Sequence, residues 1–340
     1  MSAELLIHCD NVSKTYQPRR TLRELVMSRH DGDHGIRALD GVSFRLQRGR
    51  VLGVAGESGS GKSTLANLLV GLERPTGGLI RIGDRDLSGL RRAELLAFRR
   101  HVQMVFQDPF ASLNPRFTVR RTVEEPLVIH GLGDRRARLA RVREALEEAD
   151  LRPAELFLDR FPHQLSGGQR QRAAIARAIV LRPSVLVADE PVSMLDVSVR
   201  AGILRLLRGL VERLSMSLVF ITHDLSLIGQ MCDDLAIMYQ GRIVELGPAL
   251  DVLARPLHPY TRALIAAVPV PDPGRRPLED EVALLEATAP VGAAPGCRFA
   301  PRCAHAVERC RADDPRLRAL EESHEAACHE IETIHPRLGR

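Results

Sequence analysis

The chain has 340 residues, 44% of them hydrophobic and 27% charged, the composition of a soluble globular protein of about two domains. Its net charge of +5, from 48 basic and 43 acidic residues, is spread along the whole length, which argues against a nucleic-acid binder with its basic residues on one face. No run approaches the roughly 18 apolar residues of a membrane span, and the start MSAELLIHCDNVSK lacks the basic and apolar regions of a leader, so neither insertion nor export is expected.

Alternating apolar residues predict antiparallel strands over 4–8 (ELLIH) and 38–46 (ALDGVSFRL). Between them, residues 17–36 are basic and then rich in Gly and His, which reads as an exposed insertion. The run VLGVAG at 51–56 predicts a buried strand that enters a glycine loop and then the helix STLANLLVGL. From about 90 to 180, Arg, Glu, Leu and Ala recur at helical spacing, best in 135–151, and predict a helical subdomain. Strands are expected again at 185–188 (VLVA) and 218–221 (LVFI), with the helix AGILRLLRGLVERL between them, as in a parallel α/β sheet. The core closes near 250. Residues 269–296, rich in Pro, Ala and Gly, read as a linker to a short tail rich in Cys and His.

The stretch Gly56-Glu57-Ser58-Gly59-Ser60-Gly61-Lys62-Ser63 matches the phosphate-binding pattern G-x-x-x-x-G-K-[ST] in the strand-to-helix setting that it requires. Its glycines let backbone N–H groups wrap phosphates, with the positive end of the following helix behind them. Lys62, one of only two lysines with Lys14, would reach the β and γ phosphates; Ser63 would offer its hydroxyl to Mg²⁺, and Thr64 follows as a polar helix-start residue. The strand VLVADE ends in two carboxylates, and buried strands avoid charge without a partner. Asp189 is therefore the expected Mg²⁺ ligand, and Glu190 the group that polarises the attacking water. A second anion-binding helix start, Ser166-Gly167-Gly168-Gln169, precedes another helix. One nucleotide needs one phosphate loop, so this segment is expected to face the γ-phosphate held by another subunit.

These motifs resemble the ATP-binding subunits of ABC transporters over roughly residues 4–250, with LSGGQ at 165–169 as that family's signature. The resemblance implies an α/β, P-loop ABC-type nucleotide-binding domain over residues 1–252, a mixed sheet with an antiparallel edge and a helical subdomain at about 90–180. It implies that Tyr16 stacks on adenine, that Gln107 senses Mg²⁺ and contacts the permease, that Asp196 lies in the loop touching the opposite active site, and that His223 contacts the γ-phosphate. Met194 stands where the family commonly has alanine. Lys62, Gln107, Ser166, Asp189, Glu190 and His223 are all present, so hydrolysis is expected to be intact.

The tail, residues 253–340, carries Cys297, Cys303, Cys310 and Cys328 at intervals unlike those of zinc hairpins. A [4Fe–4S] cluster, structural zinc and free thiols all fit the chemistry, and His305, His324 or His329 could replace or supplement one thiolate. Cys9 and Cys232 are expected in the core. HPYTRALIAAVPVPDP at 258–273, GCRFAPRC at 296–303, HEAACH at 324–329, FQDPFASLNPR at 106–116 and RFPHQLSGGQRQR at 160–172 resemble the oligopeptide and dipeptide importer ATPases. That resemblance implies two permease subunits, a second ATPase, which is a paralogue or a copy of this chain, an extracytoplasmic peptide-binding protein, a place on the cytoplasmic face of the membrane and, in some members, a cluster held by these cysteines. Nickel and glutathione importers share the extension. A soluble ABC protein of ribosomes or DNA is the reading from another class, but such proteins carry two nucleotide domains in one chain.

Overall fold

A computed structural model describes residues 4–17, 35–268, 295–321 and 323–336. Most of the insertion expected at 17–36 and of the linker expected at 269–296 lies outside the described residues.

Two sheets enclose one helix. Strands β1 (Leu5–Tyr16), β2 (Ile36–Gln47), β4 (Gly77–Ile82) and β5 (Arg85–Asp86) form an antiparallel sheet in the order β2-β1-β4-β5. β1 and β2 are each 12 residues long and outrun the short strands expected. Asn11 adopts a left-handed conformation (φ 49°) within a register shift between Cys9 and Val12, and this bulge breaks the alternation that marks a strand in sequence.

The larger sheet is mixed. Its parallel part runs β9 (Asp234–Tyr239), β3 (Val51–Ala55), β8 (Ser217–Thr222), β7 (Val185–Asp189), β6 (Val102–Val105). Beyond β9 lie the antiparallel strands β10 (Arg242–Pro248), β12 (His324–Ala326) and β11 (Arg318–Glu321). β3, β7 and β8 are buried at every position, which explains their unbroken apolar runs.

Helix α1 (Lys62–Leu69) buries Leu65, Ala66, Leu68 and Leu69 between the two sheets. The other face of the large sheet carries α3 (Val119–Ile129), α4 (Arg135–Glu148), α5 (Gly167–Ile179) and α6 (Val197–Leu214), while α2 (Arg92–Arg99) packs near β6. Side-chain caps define three starts: Thr118 accepts from Arg121 N–H, Asp134 from Ala137 N–H, and Ser166 from Gln169 N–H. The helical span expected at 90–180 contains one strand, because the run VQMV at 102–105 is short, apolar and buried and completes the sheet as β6 beside β7.

The tail is not an appendage. β12 pairs with β10 through Glu245↔Ala326 and Leu246↔Glu325, and Phe299 is buried in the same core as Tyr239 and Tyr260. Tyr260 lies on α7 (Pro259–Ala266). Glu245, with no exposed side-chain surface, is the anchor: its carboxylate accepts the N–H groups of Leu257 and His258, each at 2.8 Å, and lies 2.8 Å from His324 Nε2. Arg298 bonds to Asp40 and to the Gln240 carbonyl, which ties the tail to β2 as well.

Candidate active site

The phosphate loop joins β3 to α1. Gly56 has φ 152°, and a Cβ there would lie 2.1 Å from the Met238 carbonyl oxygen; Gly61 has φ 101° and caps α1. Only glycine takes both the angle and the close approach. Lys62 Nζ is buried in the loop and donates to the carbonyls of Gly56 and Glu57, each at 2.7 Å, and to Ser60 Oγ at 3.3 Å. Burial lowers the ammonium's pKa, against the pull of the Glu190, Asp189 and Glu57 carboxylates. Ser58, Gly59 and Ser63 are exposed around the loop's mouth.

Asp189 ends β7 beside this lysine. Burial raises its pKa and Glu190 adds to the effect, while a bond from Ser63 and the charge of Lys62 oppose it. Its Oδ1 is buried and has no hydrogen-bond partner. An orphaned carboxylate oxygen next to a serine hydroxyl suits a hard divalent cation, which takes one or two carboxylates and fills its shell with phosphate and water. Glu190 follows with φ 46°, a left-handed conformation uncommon for a residue with a side chain, fixed by its N–H on the Ile221 carbonyl at 3.0 Å. That turn swings the carboxylate out of the strand into the space over the loop. There Gln107 Nε2 donates to Oε2 at 2.9 Å, and His223 Nδ1 lies 3.0 Å from Oε1. Gln107 arrives from the end of β6 and His223 from the end of β8, so adjacent parallel strands deliver all four side chains to one edge.

Tyr16 is partly exposed at the end of β1, its hydroxyl bonded to Glu73 at 2.7 and 2.8 Å and to Thr64, with Lys14 Nζ 5.0 Å from the ring centre. It therefore stands at the mouth of the loop. The second glycine motif lies apart. Ser166 is exposed and closes a capping box with Gln169, and none of the hydrogen bonds described for them reaches the phosphate loop. Gly168 is pressed against the start of α6, where a Cβ would lie 2.6 Å from Val199 Cγ1. Asp196 caps α6 without a side-chain bond and is exposed with Met194 and Val197, close to the exposed Ser166 of the signature.

Hydrogen bonds also gather the tail's cysteines. The N–H of Cys297 bonds to the Cys310 carbonyl at 2.8 Å, a turn through Ala300–Arg302 leads to Cys303, and the bond from Ala327 N–H to the Val244 carbonyl brings in Cys328. All four line one cavity with His258, His305 and His329. Burial pushes the Cys297 thiol up to about 11 and the Cys328 thiol up to about 12. Among the described residues, no group of three or more His, Cys, Asp or Glu side chains is placed to hold a single metal ion. His324, a possible ligand from sequence, is taken up by Glu245 instead and does not line the cavity. Cys9 and Cys232 are buried in the core as expected.

The ABC transporter family matches residues 39–193, and the oligopeptide/dipeptide transporter C-terminal region matches residues 244–310. The probable peptide ABC transporter ATP-binding protein y4tS of Sinorhizobium fredii is 48% identical, over 86% of this chain and 82% of its own. The chain belongs to the ATP-binding subunits of oligopeptide/dipeptide ABC transporters. The di/tripeptide transport ATP-binding protein DppF of Pseudomonas aeruginosa is 45% identical, over 88% of this chain and 92% of its own. A solved dimer of the cassette MJ0796 in a post-hydrolysis state with ADP and phosphate is 32% identical, with a TM-score of 0.61, over 72% of this chain and 99% of that one. The fold is that of an ABC ATPase, and the enzyme is an ATP hydrolase. Among the described residues no helix is long and apolar enough to cross a membrane.

Sequence reading overlooked Tyr239, Glu245 and Arg302 and gave Tyr260 no role. Tyr260 and Arg302 lie inside quoted stretches, HPYTR and CRFAPRC, but nothing in sequence shows that those stretches fold back onto the phosphate loop.

Proposed function

We propose that this chain hydrolyses ATP to power the import of dipeptides or oligopeptides through a membrane ABC permease, seated on the cytoplasmic face of the membrane. The observation that carries the reading is one chain in which Gln107, Glu190 and His223 converge over the phosphate loop and an oligopeptide-type C-terminal region joins the same sheet. Residues 1–252 form the ATPase domain in this account, with its helical subdomain at about 90–180, and residues 253–340 the extension.

ATP lies with its phosphates in Gly56–Thr64 and its adenine against Tyr16. Lys62 exchanges the carbonyls of Gly56 and Glu57 for the β and γ phosphates. Ser63, Asp189 and Gln107 would hold Mg²⁺, which neutralises charge on the phosphate oxygens. Glu190 accepts a proton from the attacking water as its oxygen bonds the γ-phosphorus, the bridging oxygen leaves with ADP, and phosphate is released. His223 steadies the transferring group from the far side of Glu190. Ser166, Gly167, Gly168 and Gln169 complete the site of a second ATPase subunit, with Asp196 beside them. Two membrane permeases and an extracytoplasmic peptide-binding protein complete the importer.

Cys297, Cys303, Cys310 and Cys328 would hold a [4Fe–4S] cluster in this reading, which would supply a structural staple for the tail. A zinc ion needs four ligand atoms about 2.3 Å from one point, whereas each iron of a cluster takes one thiolate around a shared space. The cavity measures about 10 Å³, room for about one water, so a cluster would need more space than the four thiols leave as placed.

Tagging the protein in its native host and identifying what co-purifies from mild detergent tests the importer assignment. Two multi-span permeases and a sister ATPase support it; a soluble protein that brings down ribosomal or DNA-repair proteins refutes it.

A further inference from the structure

The phosphate loop carries a carboxylate among its glycines. Glu57 is half-buried, and an anion at the mouth of a polyphosphate site repels the ligand unless a cation answers it. The answering cation comes from the tail. Arg302, its side chain only 4% exposed, grips the Glu57 carboxylate with two parallel bonds, Nη2 to Oε1 at 3.0 Å and Nη1 to Oε2 at 3.1 Å. Nη1 also bonds the Tyr239 hydroxyl at 3.2 Å, at the end of β9. From α7, the Tyr260 hydroxyl accepts the backbone N–H of Glu57 at 2.9 Å. The rings of Tyr239, Tyr260 and Phe299 pack with centres 4.5 to 5.5 Å apart and hold both polar groups in place. One loop residue is therefore held at its charge and at its backbone by a segment more than 200 residues away in sequence.

We propose that Arg302 and Tyr260 are positioning residues for the ATP site: Arg302 neutralises Glu57 and Tyr260 fixes the loop backbone, so that the C-terminal extension sets the affinity for nucleotide. The fork needs a planar guanidinium, since an ammonium makes only one of the two bonds well. Arg302 also adjoins Cys303 on the turn that lines the cysteine cavity. The inference rests on the loop being the seat of ATP, and the experiment separates the two.

The experiment is a fluorescent titration of the full-length protein with an ATP analogue, with steady-state ATPase kinetics and a melting curve for each variant. Arg302→Gln leaves the Glu57 charge unanswered, and affinity falls roughly ten-fold, with kcat reduced far less. Adding Glu57→Gln to that variant removes the unanswered charge and recovers most of the affinity, a rescue that a purely structural arginine would not show. Arg302→Lys falls between the two, and Tyr260→Phe, which leaves the Glu57 N–H without its acceptor, weakens binding by a few-fold with only a small drop in melting temperature. Unchanged affinity in Arg302→Gln, or equal weakening in the double variant, overturns the proposal. Should Arg302→Gln not fold, Arg302→Lys and Tyr260→Phe decide it, and unchanged affinity in both overturns it. Failure of the unmodified protein to bind the analogue would instead refute the assignment of the loop.

Discussion

Replacing Glu245 by alanine tests whether the tail is part of the ATPase core or a passenger on it. Its carboxylate has no exposed surface and three partners at 2.8 Å: the N–H groups of Leu257 and His258, and His324 Nε2. Alanine leaves all three without an acceptor in a place that water does not reach. At about 1–3 kcal/mol for each orphaned group, the loss comes to roughly 3–9 kcal/mol, a large part of an ordinary domain's stability. Glutamine restores one acceptor oxygen but aims an amide donor at the second N–H, so its loss is intermediate. Urea unfolding of the full-length variants, followed by circular dichroism and by limited proteolysis at the tail, measures the cost. A loss below about 1 kcal/mol for Glu245→Ala would refute the anchor, because buried donors cannot be stripped of their partner that cheaply.

Other outcomes follow from the site. Glu190→Gln should retain ATP binding while single-turnover hydrolysis falls at least roughly 100-fold; unchanged turnover removes Glu190 as the base. Gly168→Ala should press a methyl against Val199 and lower ATPase activity without weakening nucleotide binding to the monomer, and Val199→Ala should give part of it back; no effect in the single variant would show that this contact does not shape the signature surface. Anaerobic purification should yield iron and a broad absorbance near ~400 nm, both lost in Cys328→Ser; stoichiometric zinc in their place contradicts the cluster.

The ATP chemistry was legible in sequence because its motifs are local. The loop, Asp189 and Glu190 each sit at a strand end, and parallel pairing of β3, β8, β7 and β6 brings those ends together. Tyr16 came from the family resemblance alone; β1 carries it close to Thr64 at the start of α1, with its hydroxyl on Glu73. What sequence could not show was how far the tail is built in. β12 is three residues long and too short to signal a strand, and Glu245 looks like one more surface acid until its three partners are seen. β9 and β10 were passed over although Gln240 and Gly241, with φ 43° and 82°, supply the positive angles of a tight hairpin. The cysteine spacing hid its own geometry, because a backbone bond and a β-pairing, neither visible in the intervals, close the cavity.

The central claim is that ATP hydrolysis by this chain drives peptide uptake. Its most direct test is uptake of labelled di- and tripeptides by the native host, comparing the parent, a deletion strain, and the deletion strain carrying either the wild-type or the Lys62→Ala protein. The account predicts that uptake is lost on deletion, restored by the wild type and not by Lys62→Ala. Peptide uptake that survives deletion, with loss of nickel or glutathione uptake instead, would contradict it.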